Sequence, residues 1–580
     1  METRNCQNCK MDFVIEPDDF SFYEKIKVPP PTFCPECRMR RRMLWRNVRS
    51  LHKRACGLCQ KSLISMYSDD GVPVYCTDCW SGSGWDPKSY GRDYDFTKPF
   101  FTQLKDLFYT VPRFYAYKFG NLINSDFTNF SKDNKNVYLS YSVTDCEDVM
   151  YSETIDKSKN TMDSYAVTKV DGCSYNVDCE LNYNVHFSMQ SDSCIDSFFI
   201  YDCDNCQNCC LSSNLRNQQY VFRNEKLSKE EYLKALESLR LETFTGLQSI
   251  WQEFDILIRD NTLHKYAHMH SAQNATGDYI HNAKNIKRSF DVMNCENVAY
   301  SMRVIDNIKD SYDLQGAGWG AELAYEAMAP TANSFNVHFG YINLQGCNNC
   351  EYSLILKNCS NCFACVGLTN AKYCIFNKQY EKDEYFEIVE KIKQHMMDMP
   401  YTDTIGRVFR YGEFFPYDMS PFGYNETNAH DFFPVTKVEA DTMGFPWKDR
   451  EKREYSITIE SLNLPDSITD VTDDILNETI ACPNNGDQST QCTTAYKIVP
   501  TELQFYRQKG LPLPRYCPNC RHYDRLKYRN PMRLYPRLCT CDRTGHSHLD
   551  IKCTNKFETT FAPDRMEKVY CEECYQKEVL

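Results

Sequence analysis

With 580 residues, 42% of them hydrophobic and 14% aromatic, the chain is too long for one core and too apolar for a disordered coil, so several packed domains are expected. A net charge of -13 excludes a protein that coats nucleic acid over its whole surface, leaving only local basic patches for that task. The N-terminus has no apolar signal region and no run of about 18 apolar residues occurs, so secretion and membrane spanning lack a signal and a cytoplasmic location is expected.

The 32 cysteines would suggest disulfides in a small secreted chain, but here they recur in Cys-x-x-Cys pairs, a spacing that suits metal. Eight lie between Cys6 and Cys79, fifteen between Cys146 and Cys374, and nine between Cys482 and Cys574, and these territories outline the domains.

Residues 1–90 read as a double zinc ribbon. The pairs Cys6/Cys9, Cys34/Cys37, Cys56/Cys59 and Cys76/Cys79 each fit a tight turn, and two such turns complete a closed tetrahedral shell of thiolates, a structural site without an open position. Pairing the first with the second and the third with the fourth is simplest; interleaved pairing is the alternative. A module of about 35 residues buries too little core to fold alone, whereas zinc supplies roughly 10 to 16 kcal/mol at neutral pH.

Between these sites, residues 38–54 carry eight Lys or Arg and no acidic residue. On a helix Arg38, Arg42 and Arg46 would line one face, where planar guanidinium groups suit phosphate oxygens and Trp45 offers a ring for a base. The plainer reading pairs them with carboxylates of neighbouring domains.

Residues 120–226 and 271–379 read as two copies of one β unit: CEDVMYS from Cys146 resembles CENVAYS from Cys295, and NVHF recurs at Asn184 and Asn336. Turn residues followed by short alternating runs suggest a β-solenoid with about two strands per coil and inward Asn and Cys ladders; an antiparallel sheet is the alternative. Helical caps follow at 227–270, where Ser228 and Glu231 fit a capping box, and at 380–398. Cys203, Cys206, Cys209 and Cys210, with Cys347, Cys350, Cys359, Cys362 and Cys365, read as buried structural thiols ahead of a further metal cluster. His186 and His338 hold equivalent positions and read as structural. Residues 399–480 form an aromatic-rich connector that ends in an acidic linker.

Residues 481–580 repeat the ribbon pair. The segment from Cys9 to Cys37 aligns without a gap on Cys492 to Cys520, and Arg38, Arg42 and Arg46 fall on Arg521, Arg525 and Arg529, with Tyr523 and Tyr528 nearby. Cys482 is the substitute for Cys6. In the last site Cys571 and Cys574 match Cys76 and Cys79, Cys553 resembles Cys59, and Cys539 and Cys541 compete for the remaining place. His546 and His548 share that insertion, but an all-cysteine shell is favoured because its counterpart has one.

The stretches EPDDFSFYEKIKVPPPTFCPECR, YGEFFPYDMSPFGYNET, LPLPRYCPNCRHYDRLKYRNP and KFETTFAPDRMEKVYCEECY resemble those of uncharacterised cysteine-rich zinc-ribbon proteins predicted from candidate-phyla-radiation bacteria. The resemblance implies zinc ribbons and an intracellular bacterial protein and carries no activity with it.

The expected fold is thus mainly β and multidomain, with a duplicated β-solenoid-like centre, helical caps and paired zinc ribbons at both ends. The expected function is a zinc-stabilised scaffold with about four structural Zn2+ ions, contacting RNA or a ribonucleoprotein through the basic helices and protein partners through the solenoid face. The alternatives are a scaffold for acidic protein partners and a β-helix enzyme acting on polysaccharide. No P-loop, Gly-x-Ser-x-Gly, His-Glu-x-x-His or Rossmann fingerprint accompanies them.

Overall fold

The computed structural model describes residues 1–69, 71–330, 332–342, 345–449, 454–543, 545–546, 548 and 552–580. Residues 450–453 of the connector, and 544, 547 and 549–551 of the last ribbon, lie outside the described residues. The protein is strand-rich and its strands are divided among many sheets. No described helix is long and apolar enough to cross a membrane.

Each end is built from short antiparallel hairpins whose turns carry cysteine. Glu2–Asn5 pairs with Asp12–Ile15 and His52–Ala55 with Ser62–Ser65, and the turns between them hold Cys6/Cys9 and Cys56/Cys59. Near the C-terminus, Ile480–Ala481 pairs with Ala495–Tyr496, and Tyr535–Leu538 with Lys556–Thr559. The second half of every site opens a helix: Cys34, Cys76, Cys517 and Cys571 are the N-cap residues of Pro35–Met43, Thr77–Ser81, Pro518–Leu526 and Glu572–Val579. Proline at the first helical position of Pro35–Met43 and Pro518–Leu526 suits such a start, since its missing N–H would be unpaired there anyway.

The centre consists of parallel ladders. From Thr128–Tyr138 to Gln219–Phe222 each rung meets the chain 12 residues on, so that Val137 lies beside Val149 and Val149 beside Thr161. A second ladder runs from Met269–Met293 to Lys372–Ile375, with Cys350 beside Cys362 and Cys362 beside Cys374. Some of its circuits take one more residue, as in Val298 beside Ser311.

The internal period is three, not the two expected from the alternating runs. From Phe130 to Arg223 a positive φ recurs at every third residue, and the residue after it faces inward: Val137, Ser140, Val143, Cys146 and Val149 are all buried. The left-handed residue turns the chain after every short run, which shortens each side to three residues. Asn and Asp tolerate that conformation best, and they occupy it at Asn136, Asp145, Asp148, Asn160 and Asp163. Most asparagines therefore stack outside rather than inside, as in Asn282 to Asn294 to Asp306, linked by hydrogen bonds of 2.8 Å.

The inward rows pack Val, Ala and Cys together with Ile and Leu into continuous apolar clusters along each ladder. Cys350, Cys362 and Cys374 are fully buried, and the Cys362 thiol donates to the carbonyls of Ser360 and Ala371. Replacing Cys362 by Ala is expected to cost about 1 kcal/mol, and by Phe more, because a close-packed cluster resists added volume. Urea titration checks both, and metal content should stay unchanged.

The last rung of each ladder is covered. Glu225–Lys226 and Lys378–Gln379 fold back antiparallel on the last rungs, and helices Lys229–Ser238 and Lys382–Asp398 pack beside them, closing edges that would invite aggregation. The expected capping box is present: Ser228 Oγ accepts from Glu231 N at 3.2 Å and Glu231 accepts from Ser228 N at 2.9 Å.

The ribbons dock crosswise. The N-terminal pair shares a core with the second ladder and the connector, where Trp45 lies 4.9 Å from Phe415 and 5.3 Å from Tyr341, and Phe22 stacks on Tyr312 at 3.9 Å. The first C-terminal ribbon packs against the first ladder, with Leu503, Phe505 and Tyr506 among Met150, Tyr151 and Phe187. Val74–Tyr75 pairs in parallel with Arg113–Phe114, and Lys568–Tyr570 with Leu263–Lys265.

Candidate metal centres

Among the described residues the chain gathers five groups of four potential ligands, with the donor atoms of each within 4.8 Å of one another. Four are all-cysteine: Cys6/Cys9/Cys34/Cys37, Cys56/Cys59/Cys76/Cys79, Cys482/Cys492/Cys517/Cys520 and Cys539/Cys553/Cys571/Cys574. Each of these could hold a structural metal ion. Sequential pairing, not interleaving, is what brings the thiols together. The fifth group is Cys541, His546, His548 and Cys574.

One hydrogen bond defines a common geometry. In every all-cysteine group the backbone N–H of the N-cap cysteine donates to the first cysteine's Sγ: Cys34 to Cys6 and Cys76 to Cys56 at 3.3 Å, Cys517 to Cys482 at 3.4 Å, and Cys571 to Cys539 at 3.3 Å. This settles both substitutions in the second pair. Cys482 occupies the place of Cys6 despite its longer loop, and Cys539, rather than Cys541, occupies the place of Cys56. Asn8 and Asn484 also hold matching places, donating to Cys37 Sγ at 3.3 Å and Cys520 Sγ at 3.2 Å. N–H donors aimed at sulfur stabilise the thiolate, the form that binds metal.

The packed thiols perturb one another strongly. Hydrogen bonding from Cys37 holds Cys9 down to about 7, and hydrogen bonding from Cys34 and Cys37 holds Cys6 far below the ordinary thiol range. Cys37 and Cys520 are pushed far upward by the neighbours that share their protons. A divalent cation at the centre relieves this competition, because it replaces shared protons and screens the like charges. All 32 cysteines are free thiols, so none of these ligands is consumed by a disulfide.

The arginines proposed as a phosphate-binding face are not exposed, which overturns that reading. Arg38 and Arg42 lie on helix Pro35–Met43, Arg46 lies beyond its end, and they are 1%, 0% and 9% exposed. Arg521 and Arg525 lie on helix Pro518–Leu526 and are 4% and 0% exposed, and the Arg529 side chain is 9% exposed. They are held internally. Arg38 reaches Asp313 at 2.8 Å and Arg42 reaches Asp313 and Glu326 at 3.2 Å. Arg521 and Arg525 reach Asp163 at 3.1 and 2.8 Å, and Arg529 lies 2.7 Å from the Tyr165 hydroxyl. Arg46 packs over Phe130 and against Gly316, where a Cβ would come within 2.3 Å of Nη1. Burial alone would lower Arg38 and Arg521, but Asp313 and Asp163 lead the opposing charges and hold both well above their ordinary value. Trp45 is fully buried, and Tyr523 and Tyr528 donate to Asp431 and Asp255 at 3.0 and 2.6 Å, so no ring waits for a base.

The sequence reading missed Arg41, which bridges Glu326 at 2.6 Å and Glu413 at 3.1 Å. It also missed the acceptors, although a signal was present. Asp163 and Asp313 each pair with two arginines of a ribbon helix, and Asp19 and Glu502 fall at the same place in the gap-free alignment of the ribbons. Tyr300 donates to Asp19 at 3.0 Å and Tyr151 to Glu502 at 2.9 Å, while Arg42 and Arg525 donate to the carbonyls of those same tyrosines.

His186 and His338 are buried inside the ladders, and His186 Nδ1 lies 2.7 Å from Ser174 Oγ. Burial, reinforced by Lys509, lowers His186 to about 3, and burial lowers His338 to about 4. In the unfolded chain both titrate near 6.5, so their contribution to stability is complete above about pH 6.5 and is lost as pH falls toward those lower values. Urea midpoints should therefore drop between pH 7 and pH 5, and His186→Gln should flatten part of that slope. Asp145, Asp148, Asp163, Asp178, Asp196 and Asp202 of the first ladder occupy left-handed turn positions. Compared with known protein-family models and with curated proteins, the chain matches none.

Proposed function

We propose that this chain is an intracellular, zinc-stabilised binding scaffold without catalytic chemistry, in which two ribbon pairs clamp two copies of a β-solenoid. The shared N–H to Sγ bond in the four all-cysteine groups carries the reading, because it builds the same closed ligand shell four times. A tetrahedral Zn–S4 site with bonds near 2.3 Å has sulfur–sulfur edges of about 3.8 Å. The observed separations of 3.7, 3.8, 3.8 and 4.0 Å, one in each group, suit that ion.

The solenoid reading rests on the 12-residue parallel step and the inward row at every third residue. The duplication reading rests on the paired sets Arg38–Asp313 with Arg521–Asp163, and Tyr300–Asp19 with Tyr151–Glu502. With the arginines engaged inside the protein, neither nucleic acid nor an acidic partner has them to bind. The surface left for protein partners is the outward rows of the ladders, where Leu181, Tyr183 and Ile195 are exposed.

Metal analysis of the purified chain tests the scaffold. Zinc should occupy all four all-cysteine groups, and its removal by chelator should unfold the ribbons and undock them from the ladders. Full retention of the circular-dichroism melt after complete zinc removal would overturn it.

A further inference from the structure

The last ribbon has a ligand set that its counterpart lacks. Around Cys56, the turn Cys56-Gly-Leu-Cys59 supplies two ligands and nothing is left over. In the second copy Cys539 and Cys553 take those two places, and the intervening insertion carries a surplus thiol, Cys541, with His546 and His548. These three converge on Cys574, which already belongs to the all-cysteine group.

We infer that the C-terminal ribbon holds a binuclear zinc centre in which the Cys574 thiolate bridges an S4 site (Cys539, Cys553, Cys571, Cys574) and an S2N2 site (Cys541, His546, His548, Cys574). This rests on the zinc reading above and extends it from four ions to five.

Three observations carry it. Both ligand sets meet the same 4.8 Å proximity and both include Cys574. Cys541 and Cys574 are 0% and 1% exposed, so neither thiol is a surface group that happens to lie near a histidine. The imidazole is also oriented for ligation: His546 Nδ1 faces Cys541 Sγ at 3.3 Å, while its Nε2 meets Glu578 Oε1 at 2.9 Å. A carboxylate on the far nitrogen fixes the tautomer that leaves Nδ1 free to coordinate. Cys574 and Glu578 lie one turn apart on helix Glu572–Val579, so one rigid element places the bridging sulfur and the outer carboxylate together. A shared thiolate also lowers the charge, since two Zn2+ ions served by five thiolates carry less excess negative charge than two separate S4 sites.

Metal counting and cadmium NMR on the full-length protein test this. Wild type should contain five zinc ions, the variant Cys541→Ser/His546→Gln/His548→Gln four, and Cys574→Ser three. Because the triple variant keeps all four all-cysteine groups, its circular-dichroism spectrum should stay native. In the cadmium-loaded wild type, one S2N2 resonance should show scalar coupling to one S4 resonance through the shared sulfur. Four zinc ions in wild type, unchanged in the triple variant, would overturn the bridged centre and leave the scaffold intact. Five ions without that coupling would overturn the bridge itself. Absence of metal from the Cys6, Cys56 and Cys482 groups would remove the zinc reading along with it.

Discussion

Replacing Cys517 by Ser is expected to release one metal ion and unfold the first C-terminal ribbon, the largest effect of any single substitution considered for this chain. Cys517 belongs to a group that could hold a metal ion, is the N-cap of helix Pro518–Leu526 and is the residue whose N–H binds Cys482 Sγ. A structural zinc site supplies roughly 10 to 16 kcal/mol of apparent binding free energy at neutral pH, more than the core of so small a module provides. The helix it starts carries Arg521 and Arg525, whose docking on Asp163 should fail with it. Metal analysis should show one ion fewer, and limited proteolysis should cut within residues 481–530 while leaving the ladders resistant. A variant that keeps its full metal content would contradict the ligand assignment. Cys362→Ala is the matched control, since that buried thiol lies within the ladder and outside every ligand group.

Asp313→Asn should destabilise the protein by about 3 to 5 kcal/mol, the usual consequence of leaving a buried charge without its partner. Three guanidinium groups, Arg38, Arg41 and Arg42, face three carboxylates, Asp313, Glu326 and Glu413, and all six side chains are at most 5% exposed. Removing one negative charge leaves this cluster with an uncompensated guanidinium away from water. The amide cannot replace the ionic contacts that Asp313 makes with Arg38 and Arg42. Urea unfolding monitored by tryptophan fluorescence reads the loss, because Trp45 is fully buried near this cluster. Asp163→Asn should cost a similar amount through Arg521 and Arg525, and the two should add to within about 0.5 kcal/mol if the clusters act independently. The pair Arg38→Met with Asp313→Leu should recover much of the single-variant loss, as replacing both partners of a buried ion pair generally does. A cost below 1 kcal/mol for Asp313→Asn would mean that the cluster is hydrated in solution.

What the sequence by itself determined follows from local spacing. Paired cysteines at hairpin turns and helix starts identify the groups that could hold a metal, because a tight turn aims both thiols the same way, whereas the same spacing inside the ladders, as at Cys359 and Cys362, joins no such group among the described residues. Ser228 with Glu231 identifies a helix start for the same local reason. The central strands were also legible, though with the wrong period, since alternation of two was read where a left-handed residue at every third position sets the step. That step was visible as Val137, Ser140, Val143, Cys146 and Val149, small residues three apart.

Tertiary structure alone decided the fate of the arginines. A run of cations with no acid in sequence looks like a surface for phosphate, because local charge carries no record of carboxylates that arrive from some 275 residues away, as Asp313 does for Arg38. It also decided the crosswise docking, in which the N-terminal ribbons share a core with the second ladder and the first C-terminal ribbon shares one with the first ladder. The choice of Cys539 over Cys541 depended on a single N–H to Sγ bond that spacing does not encode. The cysteine turns are written locally because each is built from a few adjacent residues, whereas burial and charge neutralisation are properties of the whole fold.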